Sequence, residues 1–177
     1  VLSGRTRLVP GPAAIGFCTS AGPQDCDATF NLSTGLPLKY YRNYPLDQLR
    51  LTITRVVLAV HGLGRNAQGT YNNLVRATSS ADVLRETLIV APLFGEESWG
   101  EEWKAGAGSS HDVISSFAAT DQLIMAMTDP NIFPNVREVV VAGHSAGGQF
   151  TQRYDATSSI ESQRPGLKYR CGVSYSW

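Results

Sequence analysis

The hydrophobic pattern changes character near residue 36. Residues 1–35 are rich in Gly, Pro, Ser and Thr and contain only short apolar pieces, which indicates irregular structure with room for one edge strand. From residue 36 onward, β-branched or aromatic runs alternate with segments whose apolar residues recur every three to four positions. We therefore divide the chain into an irregular N-terminal segment, 1–35, and a core, 36–177.

Five apolar runs in the core predict β-strands, at residues 36–44, 54–60, 87–93, 138–143 and 168–176. The run at residues 54–60 is β-branched and unbroken, as in strands that are buried on both faces of a parallel sheet. Helical spacing follows the second run, in Tyr71, Leu74, Val75 and Thr78. A third helix is predicted from Ala146 to about residue 158.

The second predicted helix lies between the first, which includes residues 71–78, and the third, which begins at Ala146. Ser109 and Asp112 make a capping-box-like start, and Asp129-Pro130 ends the helix. Its predicted buried face consists of Val113, Phe117, Ile124 and Met127. Strands that alternate with helices imply a mostly parallel sheet with helices on both faces, which is the α/β class.

Composition and charge narrow the functions that this core can have. Hydrophobic residues make up 42% of the 177 positions and charged residues 17%, which is typical of one globular domain. Fifteen basic residues balance fifteen acidic ones, so no overall field attracts nucleic acid or an anionic membrane surface. No apolar run approaches the ~20 residues of a membrane span.

The cysteines and a sequon favour an extracellular protein. Cys18 and Cys26 flank a polar, turn-rich segment that could close into a small disulfide loop. Asn31-Leu32-Ser33 is an N-glycosylation sequon, whereas Cys171 lies in an apolar run and is expected to be a buried thiol. No cysteine and histidine spacing is typical of zinc, so we expect no metal.

One motif carries candidate chemistry. Gly143-His144-Ser145-Ala146-Gly147 matches Gly-x-Ser-x-Gly, with an apolar strand before it and a helix after it. Such a sharp strand-to-helix turn leaves no space for β-carbons two positions either side of the serine, and it forces the serine into a strained conformation that exposes its hydroxyl. We therefore interpret Ser145 as a nucleophile, with Gly143 and Gly147 as the residues that permit the turn.

A second motif supports this interpretation. The segment "VVLAVHGLGRN", residues 56–66, resembles the His-Gly loop that follows the third strand of α/β-hydrolases. With "ISSFAATDQLI" and "VVVAGHSAGGQF", it makes the chain similar to the N-terminal two-thirds of an esterase- or lipase-type α/β-hydrolase. The resemblance extends from about residue 40 to the end.

The resemblance implies hydrolysis of an ester or amide bond in a small acyl substrate, through an acyl-enzyme at Ser145 and without a cofactor. The oxyanion would bind the backbone N–H groups of Leu63 and Ala146. Gly62 would belong to the same oxyanion loop. Two other functions stay open, namely a non-catalytic binding module and a serine acyltransferase.

The glycines of residues 62–69 do not match the motifs of nucleotide-binding sites. The segment 64–70 resembles a phosphate-binding loop, but Thr70 follows Gly69 directly, where that loop requires a lysine. The pair Gly62 and Gly64 lacks the third glycine of a dinucleotide fingerprint, whose place is taken by Ala67. We therefore expect no nucleotide cofactor.

The histidines have other expected roles than that of general base. His61 is expected to brace the oxyanion loop through hydrogen bonds to local backbone. His144 is expected to pack or to line a pocket, since neighbouring side chains diverge on a sharp turn. His111 and Asp112 stand at the predicted helix start, where Asp112 can cap amides.

Several other polar or aromatic residues have structural interpretations. Asp121 is interpreted as a surface residue or a local bridge, and Arg65 and Arg153 as helix-face or loop-anchoring residues. For Trp99 and Trp103, two interpretations stay open. Their rings could wall a ligand pocket at the carboxyl edge of the sheet, or they could pin a loop by being buried.

The catalytic triad is incomplete in this sequence. In the family that the chain resembles, the acid and then the histidine follow the nucleophile, but no histidine follows Ser145 and the only later acids are Asp155 and Glu161. We therefore expect the histidine and the acid to come from a C-terminal part absent from this chain. That part could be the remainder of a cleaved or shortened hydrolase, or a second polypeptide that completes the sheet beyond residues 168–176; a natural short form that only binds is the third explanation.

Overall fold

The computed structural model describes Cys18 and residues 26–109 and 113–174. Among these residues, six strands form one mixed sheet in the order β1-β2-β4-β3-β5-β6. The strands are β1 (Asp27–Asn31), β2 (Pro37–Arg42), β3 (Arg55–Val60), β4 (Thr87–Pro92), β5 (Glu138–His144) and β6 (Lys168–Ser174). Strands β3 to β6 are mutually parallel, while β1 and β2 are antiparallel to their neighbours.

The helices are α1 (Ala67–Ser80), α2 (Ser116–Met127), α3 (Ala146–Thr157) and the short α4 (Ile160–Gln163). Every residue of β4 is buried, and β3 is buried from its second residue onward. This is the burial pattern of central strands covered on both faces, and it confirms the α/β class with a mostly parallel sheet. No helix of the described chain is long and apolar enough to cross a membrane.

One face of the sheet is covered by α1. The Asn66 side chain caps this helix by accepting from Gly69 N at 2.8 Å, and Tyr71 and Val75 are buried against β4 and β3. The Tyr71 hydroxyl donates to the carbonyl of Cys18 at 2.6 Å, and Cys18 is disulfide-bonded to Cys26. The predicted disulfide is therefore formed, and Cys18 is attached to the α1 face.

The opposite face is covered by α2 and α3, and here the predicted start of α2 is wrong. The helix begins at Ser116, and the Ser115 side chain caps it by accepting from Ala118 N at 3.0 Å. Before it, Gly108 pairs with Ser115 in an isolated bridge, and Ser109 N donates to the carbonyl of Ile114 at 2.8 Å, so the helix does not include these residues. Val113 is consequently 49% exposed and outside the helix, while His111 and Asp112 lie outside the described residues.

The prediction of a buried thiol at Cys171 is also wrong. Cys171 is an exposed free cysteine, because β6 is the last strand of the described sheet and nothing described pairs with its outer edge. Its Sγ donates to Asp155 Oδ1 of α3 at 3.0 Å. The apolar run around Cys171 therefore signals a sheet strand but not burial.

Candidate active site

Ser145 connects β5 to α3 in a backbone conformation that side chains rarely adopt. Its φ is 56° and its ψ is −118°, outside the favoured regions for a residue with a β-carbon. Its side chain does not cap α3, and the residue is only half-buried. The hydroxyl is therefore accessible at the N-terminus of a twelve-residue helix, where the helix dipole favours negative charge.

The two glycines of the motif are explained by backbone contacts at this turn. A β-carbon at Gly143 would collide with the carbonyl group of Gly147. A β-carbon at Gly147 would collide with the carbonyl of Val60 and would stand 2.6 Å from the carbonyl oxygen of His61. Helix α3 thus begins in direct contact with the ends of both β5 and β3, which leaves Ser145 at the carboxyl edge of the sheet.

The His-Gly loop lies beside this serine. Strands β3 and β5 are parallel neighbours with Val60 opposite Gly143, so the residues that follow them emerge side by side. A β-carbon at Gly62 would be 3.7 Å from the β-carbon of Ser145. Within the described residues, neither Leu63 N–H nor Ala146 N–H donates to an acceptor, and the Leu63 side chain is 57% exposed.

His61 is buried and its imidazole is fully engaged. Nε2 accepts from Phe94 N at 3.1 Å, and Nδ1 donates to the carbonyl of Gly62 at 2.8 Å. Desolvation by burial is the main cause that lowers the pKa of His61 from 6.5 to about 4. The ring is therefore neutral near neutral pH, and it holds the His-Gly loop against the end of β4.

His144, the last residue of β5, borders a groove. It is exposed, and it lines this groove of about 380 Å³ on the α1 face, together with Gly62, Asn73, Leu74, Ala142 and Val173. Within the described residues, no imidazole is hydrogen-bonded to the Ser145 hydroxyl. Sequence reasoning did not find this groove, because its lining combines small strand residues with one side of α1.

Burial favours the second interpretation of Trp99 and Trp103, in which both rings pin a loop, although Trp99 also borders a groove with Arg65 and Gly95. The two tryptophans are 1% and 0% exposed, and both rings pack on Phe94, while Trp103 also lies 4.7 Å from the His61 ring, measured between centroids. The two indoles therefore pin the loop after β4 to the core. A sequence cannot distinguish these roles, because a tryptophan in a polar loop satisfies either one.

Three charged residues serve as anchors among the described residues. Arg153 of α3 donates to the carbonyl of Lys104 at 3.1 Å. Asp121 of α2 accepts from the Tyr154 hydroxyl and from Ser158 Oγ of α3. Arg65 has a φ of 52°, and its guanidinium contacts the loop after β4.

The sequence matches no family model and no curated protein, but solved structures match it in three dimensions. LpqC, the poly(3-hydroxybutyrate) depolymerase from Bordetella parapertussis, superposes with a TM-score of 0.56 at 23% identity, over 75% of this chain and 46% of that chain. Poly(aspartic acid) hydrolase-1 from Sphingomonas sp. KT-1 gives 0.55 at 20% identity, over 84% and 55%. A thermostable esterase gives 0.51 at 16% identity, over 84% and 40%.

This chain has the α/β-hydrolase fold. It spans about half the length of the first two solved structures that it matches and 40% of the third. At these identities the likeness concerns the fold. Within that α/β-hydrolase fold, Ser145 stands at the strained turn after β5 and Gly62 beside it, at the carboxyl edge where open α/β sheets bind ligands.

Proposed function

We propose that this chain carries the nucleophile and the oxyanion hole of a serine hydrolase that acts on ester bonds, or on amide bonds, of small acyl substrates. The observation that carries the proposal is the conformation of Ser145, with φ 56° at the start of α3 and an accessible side chain. A backbone strained in this way is costly, of the order of 1–3 kcal/mol. It is characteristic of functional sites, where it places a reacting group.

In the proposed reaction, Ser145 Oγ attacks the acyl carbon and loses its proton to a histidine. The negative charge that develops on the carbonyl oxygen is stabilised by the N–H groups of Leu63 and Ala146, each worth about 3 kcal/mol in a water-poor site. Collapse expels the alcohol or amine, and a water molecule then releases the acid from Ser145. No step of this sequence requires a metal ion or an organic cofactor.

The histidine and its acidic partner are proposed to come from a C-terminal portion outside these 177 residues. Two observations support this. The ring nitrogens of His61 are both occupied, and no histidine follows Ser145 in the sequence. His111, which neighbours Asp112, lies outside the described residues. Without a base, Ser145 would retain the high pKa and the low reactivity of an ordinary alcohol.

The test is covalent labelling with a fluorophosphonate probe. In protein that includes the C-terminal portion, we expect mass spectrometry to locate the adduct on Ser145, and Ser145→Ala to abolish it. Ser162→Ala, which removes an exposed serine of α4, is the matched control and should label like the wild type. The isolated 177-residue chain should label slower by roughly 10³-fold or more, since only the oxyanion hole remains. A folded, complete protein without an adduct on Ser145 would refute the proposal.

The groove beside His144 favours a second candidate, a module that binds a ligand without catalysis. Its volume of about 380 Å³ lies within the range of small-molecule sites. Ligand binding that persists in Ser145→Ala, together with absence of labelling, would support this candidate over hydrolysis. An acyltransferase would label like a hydrolase, and transfer of the acyl group to an added alcohol would distinguish it.

A further inference from the structure

We propose that Arg65 is the positioning residue of the oxyanion loop, residues 61–66. In this inference its side chain holds the loop against the segment that follows β4, and thereby sets the position of the Leu63 amide relative to Ser145. The inference rests on the proposed function, because the amide matters for catalysis only if Ser145 reacts. Arg65 itself does not touch the reacting atoms.

The guanidinium of Arg65 is nearly buried and contacts several backbone carbonyls. Its side chain is 9% exposed. Nη1 donates to the carbonyls of Phe94 and of Trp99, the latter at 3.0 Å, and Nη2 donates to the carbonyl of Gly100 at 3.4 Å. One planar group thus connects the oxyanion loop with both ends of residues 94–100. A lysine ammonium cannot reproduce such a fork, because its donors radiate from one point.

The carboxylates near Arg65 are secondary to these carbonyls. Glu101 Oε1 accepts from Nη2 at 3.2 Å, and Glu96 Oε1 lies 3.8 Å from Nε. Both glutamates are largely exposed, at 81% for Glu96 and 68% for Glu101, so water screens each pair and the contribution of each is small. The partly buried hydrogen bonds to the carbonyls of Phe94 and Trp99 therefore dominate the interaction.

The backbone of Arg65 indicates that its side chain has a specific task. Its φ of 52° lies in the left-handed region, where glycine is the usual residue and another residue costs free energy. Its N–H closes a turn by donating to the carbonyl of Gly62 at 3.0 Å. A glycine would serve that turn equally well, so the interactions that justify an arginine are those of the guanidinium.

Leu63 lies between two anchors that attach to the same segment. On one side His61 Nε2 accepts from Phe94 N, and on the other side the Arg65 guanidinium donates to Phe94 and Trp99. The Leu63 side chain, 57% exposed, offers little packing of its own. The position of its amide is therefore determined by the two flanking anchors. Truncation of the Arg65 side chain removes one of them.

The test compares Arg65→Ala and Arg65→Lys with Arg153→Ala. Arg153 is the matched control because its guanidinium also donates to a carbonyl of this loop region, that of Lys104, but from α3. The measurements are the limiting rate constant for fluorophosphonate labelling of Ser145 and the probe's apparent affinity. For both Arg65 variants we expect the rate constant to fall about 10- to 100-fold with little change in affinity, since a displaced oxyanion donor affects the transition state. Arg153→Ala should stay within about twofold of the wild type.

A merely structural role gives a different result. It would lower the fraction of protein that labels and leave the rate constant of the folded fraction unchanged, and this outcome would overturn the inference. Added guanidinium ion at non-denaturing concentration should accelerate labelling of Arg65→Ala but not of Arg65→Lys, where the ammonium occupies the site. If Arg65→Ala labels with the rate constant of the wild type and guanidinium does not accelerate it, the inference is likewise overturned.

Hydrogen exchange separates failure of the inference from failure of the proposed function. In Arg65→Ala we expect the two hydrogen-bonded amides that hold this loop, that of residue 65 to Gly62 and that of Phe94 to His61, to exchange at least about tenfold faster, with no such change in Arg153→Ala. If the wild type does not label at all, the proposed function fails while the exchange data still decide the role of Arg65. Unchanged exchange in both Arg65 variants would refute the positioning role.

Discussion

At the scale of single residues, Ser145 combines an accessible hydroxyl with backbone strain. The strain arises because β5 must turn into α3 within one residue while α3 stays in contact with β3 and β5. The β-carbon of Ser145 makes this backbone conformation unfavourable in free energy, and the tertiary contacts around the residue maintain it.

This strain predicts a difference between two variants that both lack the hydroxyl. Ser145→Gly should be more stable than Ser145→Ala by about 1 kcal/mol, because glycine adopts a φ of 56° without strain and the gain exceeds its added unfolded-state entropy. Urea unfolding measures the difference. Equal stability of the two variants would show that the turn is unstrained.

His61 makes the stability depend on pH. Its pKa is lowered from 6.5 to about 4 in the folded protein, so between these values the unfolded chain binds more protons and the free energy of unfolding decreases as the pH falls. The loss at pH 4 relative to neutral pH is about 3 kcal/mol. His61→Gln should reduce this pH dependence, measured by urea unfolding at several pH values.

At the scale of elements, the junction of β5 and α3 depends on two close backbone contacts. Strand β5 and helix α3 meet where Gly143 and Gly147 face carbonyl groups that leave no space for a β-carbon. Those contacts involve backbone on both sides, so a side chain cannot move aside to relieve them.

Substitution of these glycines should therefore be strongly destabilising. We expect Gly143→Ala and Gly147→Ala each to lower the free energy of unfolding by about 3 kcal/mol or more. Gly64→Ala is the matched control, because a β-carbon there meets nothing within 4 Å, and it should change stability by less than about 0.5 kcal/mol. Thermal or urea unfolding of the three variants is the measurement. A mild effect at Gly147 would contradict the close contact of α3 with β3.

At the scale of the whole molecule, the disulfide attaches Cys18 to the sheet. Cys26 precedes β1, and Cys18 both donates its N–H to the carbonyl of Asn43 and accepts from Tyr71 of α1. The bond thereby connects one end of the sheet with the helix that covers the α1 face. An extracellular location, where such bonds persist, stays a prediction.

Removal of this bond should lower stability without changing the fold. The cysteines are eight positions apart, and closing a loop of that size removes chain entropy from the unfolded state worth about 2.5 kcal/mol. We expect Cys18→Ser with Cys26→Ser to lower the free energy of unfolding by about that amount, with an unchanged far-ultraviolet circular dichroism spectrum. Cys171→Ser, at an exposed thiol, should be neutral.

The sequence determined the order of strands and helices along the chain and the position of the sharp turn at Ser145, because both are local. Valine runs favour strands whatever surrounds them, and the glycines of residues 143–147 tolerate a turn that other residues cannot. The start of α2 was mispredicted, since Ser109 and Ser115 are both plausible caps, and the pairing of Gly108 with Ser115 is not visible in the local pattern.

Only the tertiary structure decided which residues meet at the serine and which are buried. The sheet order places the end of β3 beside the end of β5, although Gly62 and Ser145 are far apart in the chain. It also buries Trp99 and Trp103 and exposes Cys171. Burial and proximity depend on distant segments packing together, and local patterns carry no information about which segments those are.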